Sequence, residues 1–437
     1  MKITYSTLLK FTLPTIVSNV FMSVYSTVDG IFVSNFVGTD ALSAINILSP
    51  FLMISIAIGT MIGTGGSALV SKKLGESKHK QAKENFTLLI IATITLASLI
   101  SILGFIFRRP LIFMLGSNDL IYKFCEAYAI PLFIIVPFAI LGIVFQMFFI
   151  VEGKPKVGMI SSIIGGIINV VLDYILIVKL NLGISGAAIA TGLGYSFPTL
   201  VGLIFFSLNK RGTLYITKPN FDFGVITKTF SNGLSEMVTM LSLSIATIAM
   251  NNILIRIAGV DGVSAITIIS YTQSILASIY IGYNTGISPI ISFNFGKKDA
   301  KNLKKIYKIS LRMIATLSVL ALIISFILAS PVIKIFSKDN LQVFEMAFEG
   351  FLIFSFSFLF MGINMFASAM FTALNNGIIS AILSFFRTLG FLLVSLLIFP
   401  NLFGIFGVWV ATPVSEFASI IVTFYFFSRY KKVYNYA

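Results

Sequence analysis

The sequence has one cysteine, one histidine and few charges, with Asp, Glu, Lys and Arg making up only 11% of its 437 residues. Each scarcity excludes a class. With Cys125 alone there is no disulfide and no cysteine metal cluster. With His79 alone, histidine metal sites and an obvious nucleophile–base pair are excluded as well. HExxH, GxSxG, a phosphate loop and a Walker lysine are all missing. No enzymatic activity and no cofactor are expected, and any pumping should draw on an ion gradient rather than ATP. Charge this sparse cannot cover a soluble surface.

What is abundant is apolar sequence. Hydrophobic residues make up 57% of the chain, in runs of about twenty residues, long enough to cross a bilayer as helix. The runs are solid rather than alternating, which argues against a membrane barrel. Twelve spans are expected, at about 11–33, 43–71, 86–107, 124–150, 157–178, 186–208, 224–255, 264–292, 307–330, 343–373, 378–399 and 404–428. The first run is too long for a signal core and has no small-residue cleavage site after it, so it reads as a span. The expected class is an all-α, multi-pass membrane protein.

The net charge of +15 raises nucleic acid as a partner, but the positions of the charges argue against it. With twelve spans, one side of the membrane carries Lys72, Lys73, Lys78, Lys80, Lys83, Lys154, Lys156, Lys210, Arg211, Lys218, Lys297, Lys298, Lys301, Lys304, Lys305 and Lys308, besides lysines and an arginine near both ends. The other side has Arg108, Arg109, Lys123, Lys179, Arg256, Lys334 and Lys338. This is a positive-inside bias that puts both termini in the cytoplasm, with contact to anionic lipid of the bilayer.

The chain is written twice. At an offset of 221, "GTDALSAINILS" falls on "GVDGVSAITIIS" at 259–270, and "GISGAAIAT" at 183–191 falls on "GIFGVWVAT" at 404–412. Six spans plus six is an even duplication, so both halves enter the membrane the same way round, as parallel repeats. Two lobes are expected, 1–215 and 216–437, joined by the polar segment 208–224. Gly38, Gly65, Gly75 and Gly183 recur as Gly259, Gly286, Gly296 and Gly404, which suits turns and close helix packing. The lysine-rich segments 72–83 and 297–308 are equivalent and read as amphipathic helix starts. Pro14, Pro50, Pro131, Pro137, Pro198, Pro289 and Pro413 lie in or near spans and mark kinks or bent ends.

The acids inside the spans are not duplicated. Asp29 maps onto Met250, and Asp173 falls near Val394. An ionised carboxylate at membrane depth costs about 3 kcal/mol on insertion scales, and a carboxyl group in apolar surroundings keeps a proton more readily. Asp29 therefore reads as a proton or cation relay, the alternative being a protonated side chain that only joins helices. Asn169 and Asp173 are four apart and share a helix face. With Asp29 and Thr191 they can form an oxygen cluster that takes a proton or, as metal, Na⁺. In the second half Glu236, Arg387 and Glu416 also fall at membrane depth. Arg387 should pair with one of the glutamates, either as an ion pair between lobes or within an acidic lining that attracts cationic ligands. Phe, Met and Tyr suit an adaptable cavity.

The ordered stretches "LPTIVSNVFMSVYSTVDGIFVSNFVGTDALSA", "EGKPKVGMISSIIGGIINVVLDYILI", "LGISGAAIAT" and "LFGIFGVWVATPVSE" resemble the multidrug and toxic compound extrusion (MATE) family, over nearly the whole chain. The pattern is nearest to the Gram-positive multidrug branch. The resemblance implies a V-shaped pair of six-helix lobes in the cytoplasmic membrane of a bacterium. It implies export of small organic cations against H⁺ or Na⁺ by alternating access, from a monomer. It also implies that Asp29, Asn169, Asp173 and Thr191 match the cation site of the first lobe. Some members carry an acid later in the seventh span, where this chain reads "MLSLSIATIAMNN". Coupling is therefore expected in the first lobe, with Glu236, Arg387 and Glu416 left to substrate. The rivals are a lipid-precursor flippase of related fold, which would favour a basic cavity, another 6+6 carrier, and a polytopic membrane enzyme. The major facilitator type lacks support, since the loop after the second span reads "SKKLGESKHKQAKENF".

Overall fold

Hydrocarbon offers a backbone no hydrogen-bond partners, so apolar runs of this length satisfy their amides internally, as helix. The computed structural model describes the backbone of residues 3–36, 39–337 and 340–437, and within it the side chains other than those of 26–35 and 39–42. Among the described residues there is no strand. The helices are α1 (Tyr5–Phe36), α2 (Thr39–Gly75), α3 (His79–Ile106), α4 (Arg108–Met114), α5 (Tyr122–Val151), α6 (Pro155–Asp173) and α7 (Gly183–Leu208), followed by α8 (Phe223–Gly296), α9 (Ala300–Ser337), α10 (Leu341–Ser355), α11 (Phe358–Ala373), α12 (Gly377–Phe385), α13 (Phe391–Phe403) and α14 (Ile405–Tyr434). Two π-helical turns interrupt them, Tyr174–Lys179 directly after Asp173 and Phe386–Gly390 around Arg387.

Ten of these elements, taken with their π turns, are long and apolar enough to span a membrane, and α10 with α11 forms a further, bent span. The 74 residues of α8 would run to about 110 Å as one rod, far beyond a bilayer. The backbone leaves the helical region at Gly259, with φ 62°. The chain turns back there, so that Met250 and Leu254 pack with Ala265 and Ile269 in one core. Counting α8 twice gives twelve spans, as the hydropathy predicts.

Helices α3 and α9 begin before the apolar runs, at His79 and Ala300, with helical lysine-rich first turns, as the reading of these segments as amphipathic helix starts predicts. Two features differ from expectation. A short helix, α4, occupies what reads as a loop. The 54° bend between α10 and α11 falls at Phe356 and Ser357, where no proline stands. Ser357 N–H donates to Phe354 O (2.9 Å) and Phe360 N–H to Ser357 O (3.1 Å). These tighter i→i+3 bonds turn the axis.

The repeated glycines carry the turns and the contact between halves. Gly183 (φ 55°) and Gly404 (φ 60°) both take a positive φ at the start of α7 and α14, a backbone region that strains L side chains and that glycine enters freely. A Cβ on Gly75 would collide with Phe293 O, and one on Gly296 with Lys72 O. Phe293 and Lys72 are themselves 221 positions apart, so the contact is reciprocal about a pseudo-two-fold axis. At the lysine-rich end the halves thus touch backbone to backbone. Gly65 similarly lies against the Thr229 carbonyl, and Gly286 against Thr12 of α1. In lipid such close approach, by allowing van der Waals packing, replaces the hydrophobic drive.

Residues 209–222 join the halves. Glu152, at the α5–α6 turn, accepts from Asn209 Nδ2 (2.9 Å), Thr213 N–H (3.0 Å) and Leu214 N–H (2.6 Å). Thr87 Oγ1 of α3 accepts from Thr217 N–H at 3.0 Å. The connection is strapped to the first half.

Candidate functional site

Between the halves lies a cavity of about 450 Å³, within the range of small-ligand sites. It is lined from α1, α2, α5, α6, α7, both arms of α8, α11, α14 and the helix that contains Arg387. On α2 the lining runs from Ile56 to Ser67 and on α6 from Pro155 to Gly166, which places the cavity toward the lysine-rich end. Its wall mixes hydroxyls and amides (Thr15, Asn19, Gln146, Asn284) with Met22, Met147, Met240, Met361, Met365 and the rings of Tyr25 and Tyr195. Methionine repacks around ligands of different shape, and aromatic faces accept cations.

The charged residues of this lining, among the described residues, are Glu236, Arg387 and Glu416. The structure brings together all three that were expected to handle substrate. Arg387 Nη1 sits 3.1 Å from Glu416 Oε1. Asn364 Nδ2 donates to Glu416 Oε2 at 2.7 Å and to the Glu416 carbonyl at 2.9 Å. Asn364 Oδ1 in turn accepts from Thr423 Oγ1 at 2.9 Å. Glu416 is 4% exposed, and both carboxylate oxygens are occupied by protein donors, as a buried charge requires. Glu236 differs: it is half-buried, and it forms no hydrogen bond or ion pair among the described residues. The partner of Arg387 is thus Glu416 and not Glu236. The pair also joins two helices of the second half rather than bridging the halves. Arg387 lies on the π turn Phe386–Gly390, the kind of helix distortion often found at functional sites.

Of the residues expected to take the coupling ion, Asn169, Asp173 and Thr191 are not in the lining of this cavity. Asn169 and Asp173 are 0% and 1% exposed, on one face of α6. Asn169 Nδ2 donates to Thr191 Oγ1 of α7 at 3.3 Å, while its buried Oδ1 has no hydrogen-bond partner among the described residues. Gly165, Gly166 and Gly194 separate the cluster from the cavity. A Cβ on Gly194 would lie 2.9 Å from the Cβ of Asn169, so α6 and α7 are as close as glycine allows. Asn169 and Thr191 therefore come together, with Asp173 one turn further along the same face of α6. The fourth expected member, Asp29, has its side chain outside the described residues. An amide oxygen, a carboxylate and a hydroxyl make an oxygen-only donor set, suited to a hard cation. Among the described residues no group of three His, Cys, Asp or Glu gathers to hold a metal.

The MatE family model matches the chain twice, over residues 14–175 and 236–398. The chain belongs to the MatE family. Each half holds one MatE match, the first reaching past Asn169 and Asp173, the second running from Glu236 past Arg387. The chain is 23% identical over 431 residues to the multidrug export protein MepA of Staphylococcus saprophyticus, with 95% of this chain and 93% of that one covered. A MepA of Staphylococcus aureus is 22% identical over 428 residues, covering 96% and 93%. Among solved structures, a MATE protein in complex with MaL6 superposes with TM-score 0.94 at 21% identity, over 98% and 97% of the two chains. The Vibrio cholerae MATE transporter VcmN, as its D35N mutant, gives 0.91 at 18%, over 98% of each chain. This MatE chain is thus a multi-pass membrane protein of a transporter family, with the fold of those structures.

Sequence reasoning missed Asn364 and Thr423, which position Glu416, and Asn284, whose buried Oδ1 has no partner at the cavity wall. Their signal was present: amides in otherwise apolar runs, "MGINMF" and "IGYNTG", as costly to bury unbonded as a weak acid.

Proposed function

We propose that this MatE protein exports organic cationic compounds in exchange for H⁺ or Na⁺, by alternating access of two lobes, 1–215 and 216–437. The observation that carries the reading is the cavity between the halves, walled by Met and Tyr, with Glu236 lining it and in no ion pair among the described residues. The lysine-rich end is cytoplasmic by the positive-inside bias, in a bacterial cytoplasmic membrane, and the working unit is the monomer.

In this reading drug enters the cavity from the cytoplasmic side and is held by Glu236, by cation–π contact with tyrosines and by methionines. The lobes rock about the contact at Gly75 and Gly296. From outside, a proton or Na⁺ enters the cluster of Asp29, Asn169, Asp173 and Thr191 and cancels its charge. The change crosses the thin glycine seam of Gly165, Gly166 and Gly194 to the cavity wall, and drug is released outward. The ion then leaves inward. A one-for-one exchange of H⁺ or Na⁺ for a monocation moves no net charge, so the concentration gradient of the ion drives it, each tenfold difference being worth about 1.4 kcal/mol or one tenfold of drug accumulation. Neither ATP nor a bound cofactor takes part.

Purified protein in liposomes tests this. Ethidium movement should follow an imposed H⁺ or Na⁺ gradient and should stop in Asp29→Asn and Asp173→Asn at matched protein levels. Ethidium movement indifferent to both gradients, or wild-type rates in both variants, would overturn it. A lipid-precursor flippase would want a basic cavity, whereas this one holds two acids and one arginine.

A further inference from the structure

The charge inventory of the central cavity is short. Among the described residues it holds two carboxylates and one guanidinium, and these are not interchangeable. Arginine is cationic throughout in proteins. Its Nη1 is 3.1 Å from Glu416 Oε1, while Asn364 Nδ2 takes Oε2 at 2.7 Å. The side chains of this pair are 12% and 6% exposed. Both Glu416 oxygens therefore already accept from protein donors, and its charge is cancelled on the spot. Glu236 lines the same cavity and forms no ion pair or hydrogen bond among the described residues. With Glu236 ionised, these three groups leave one net negative charge, although two of them are acids.

We infer that Arg387 sets the charge of the substrate: by neutralising Glu416 it makes the cavity accept monocations in preference to dications. The inference rests on the reading of this cavity as an organic-cation site, and deepens it. The guanidinium acts as a tethered cation in the space a ligand's second positive centre would otherwise use. A dicationic ligand meets one carboxylate and one guanidinium, attraction at one end and repulsion at the other. Both are strong where water is scarce. Size and shape remain the business of the methionines and tyrosines. Charge number is decided by Arg387.

The prediction separates charge from architecture through four proteins. Equilibrium binding of tetraphenylphosphonium, a monocation, and of a bis(triphenylphosphonium) alkane, a dication, is measured in detergent without any ion gradient. The wild type should prefer the monocation. Arg387→Met should shift the affinity ratio toward the dication by about tenfold or more. Arg387→Lys keeps the charge and should keep the wild-type ratio. Arg387→Met combined with Glu416→Gln removes the pair together and restores a single net charge. It should return the ratio to the wild-type value even though the arginine is gone. Should Arg387→Met not fold, the last two variants still decide the matter. A dication preference in either overturns the inference, as does a ratio that stays constant when Arg387→Met binds both probes. Absence of binding of both probes to the wild type instead overturns the cation-site reading, and the inference with it. Failure of the gradient experiment alone leaves this binding result intact.

Discussion

At the scale of single residues, the buried pair makes the sharpest demand. Breaking a buried ion pair from one side leaves an uncompensated charge and costs about 3–5 kcal/mol. Arg387→Met should accordingly lower the thermal midpoint of the purified protein. Adding Glu416→Gln should recover most of the loss, because Asn364 can still hydrogen-bond the amide; a double variant no more stable than the single one would contradict this. A milder effect belongs to Glu76, at the lysine-rich end. Burial works against its ionisation, but the hydrogen bond from Lys78 (2.9 Å) and the charges of Lys73, Lys78 and Lys72 outweigh it, so its pKa lies below the usual 4.5. The stabilisation is then present above the ordinary carboxylate range and fades as pH falls through the lowered value. Glu76→Gln should be worth at most about 1 kcal/mol at neutral pH and nothing in strong acid, by unfolding midpoints at the two pH values. The deep acids were visible in the sequence, since a charge in an apolar run has few innocent explanations. Which glutamate Arg387 would choose was not, because helix-to-helix registry decides it and periodicity carries no such information.

At the scale of elements, the repeat gives paired predictions. Gly183 and Gly404 both adopt a positive φ at the start of equivalent helices. Gly183→Ala and Gly404→Ala should therefore destabilise by similar amounts, about 1–2 kcal/mol each. Nothing stands within 4 Å of a Cβ at Gly404, whereas Gly186 and Gly407, which are crowded by neighbouring backbone, should cost more as alanine. Chemical unfolding of the four variants would show this order or refute it. Most elements were legible, because apolar length and the 221-residue offset both survive divergence between halves. Helix reversal at Gly259 fell in a predicted gap, and its twin Gly38 lies outside the described residues. The bend at Phe356 and Ser357 was illegible, since no proline or glycine announces it. The lysine-rich starts of α3 and α9 lie outside the apolar runs, because these turns leave the hydrocarbon, and were legible only from their amphipathic charge pattern.

At the scale of the whole molecule, the reciprocal glycine contact closes one end. Gly75 abuts Phe293 O and Gly296 abuts Lys72 O, so any larger side chain at either point must push the halves apart. Gly75→Val and Gly296→Val should shift the population toward a form open at the lysine-rich end. The native Cys125 is buried and can be replaced by alanine, leaving a cysteine introduced at Thr285 on the cavity wall as the reporter. Its labelling by a membrane-impermeant thiol reagent from the lysine-rich side should rise severalfold in the valine variants. Unchanged labelling would mean that this contact does not hold the end shut. The duplicated frame was readable from sequence, whereas the seam was not: the repeat identifies which glycines matter, and the three-dimensional pairing identifies what they touch.

The strap at Glu152 reaches beyond stability. It binds the backbone of Thr213 and Leu214, and Thr87 holds that of Thr217, so the tether belongs to the first half before α8 begins. A nick near Asn220 would leave every one of these bonds on the same fragment. Two separately encoded polypeptides divided at that point should reassemble in the bilayer and confer the same drug tolerance as the intact gene, whereas a division at Lys210 should not.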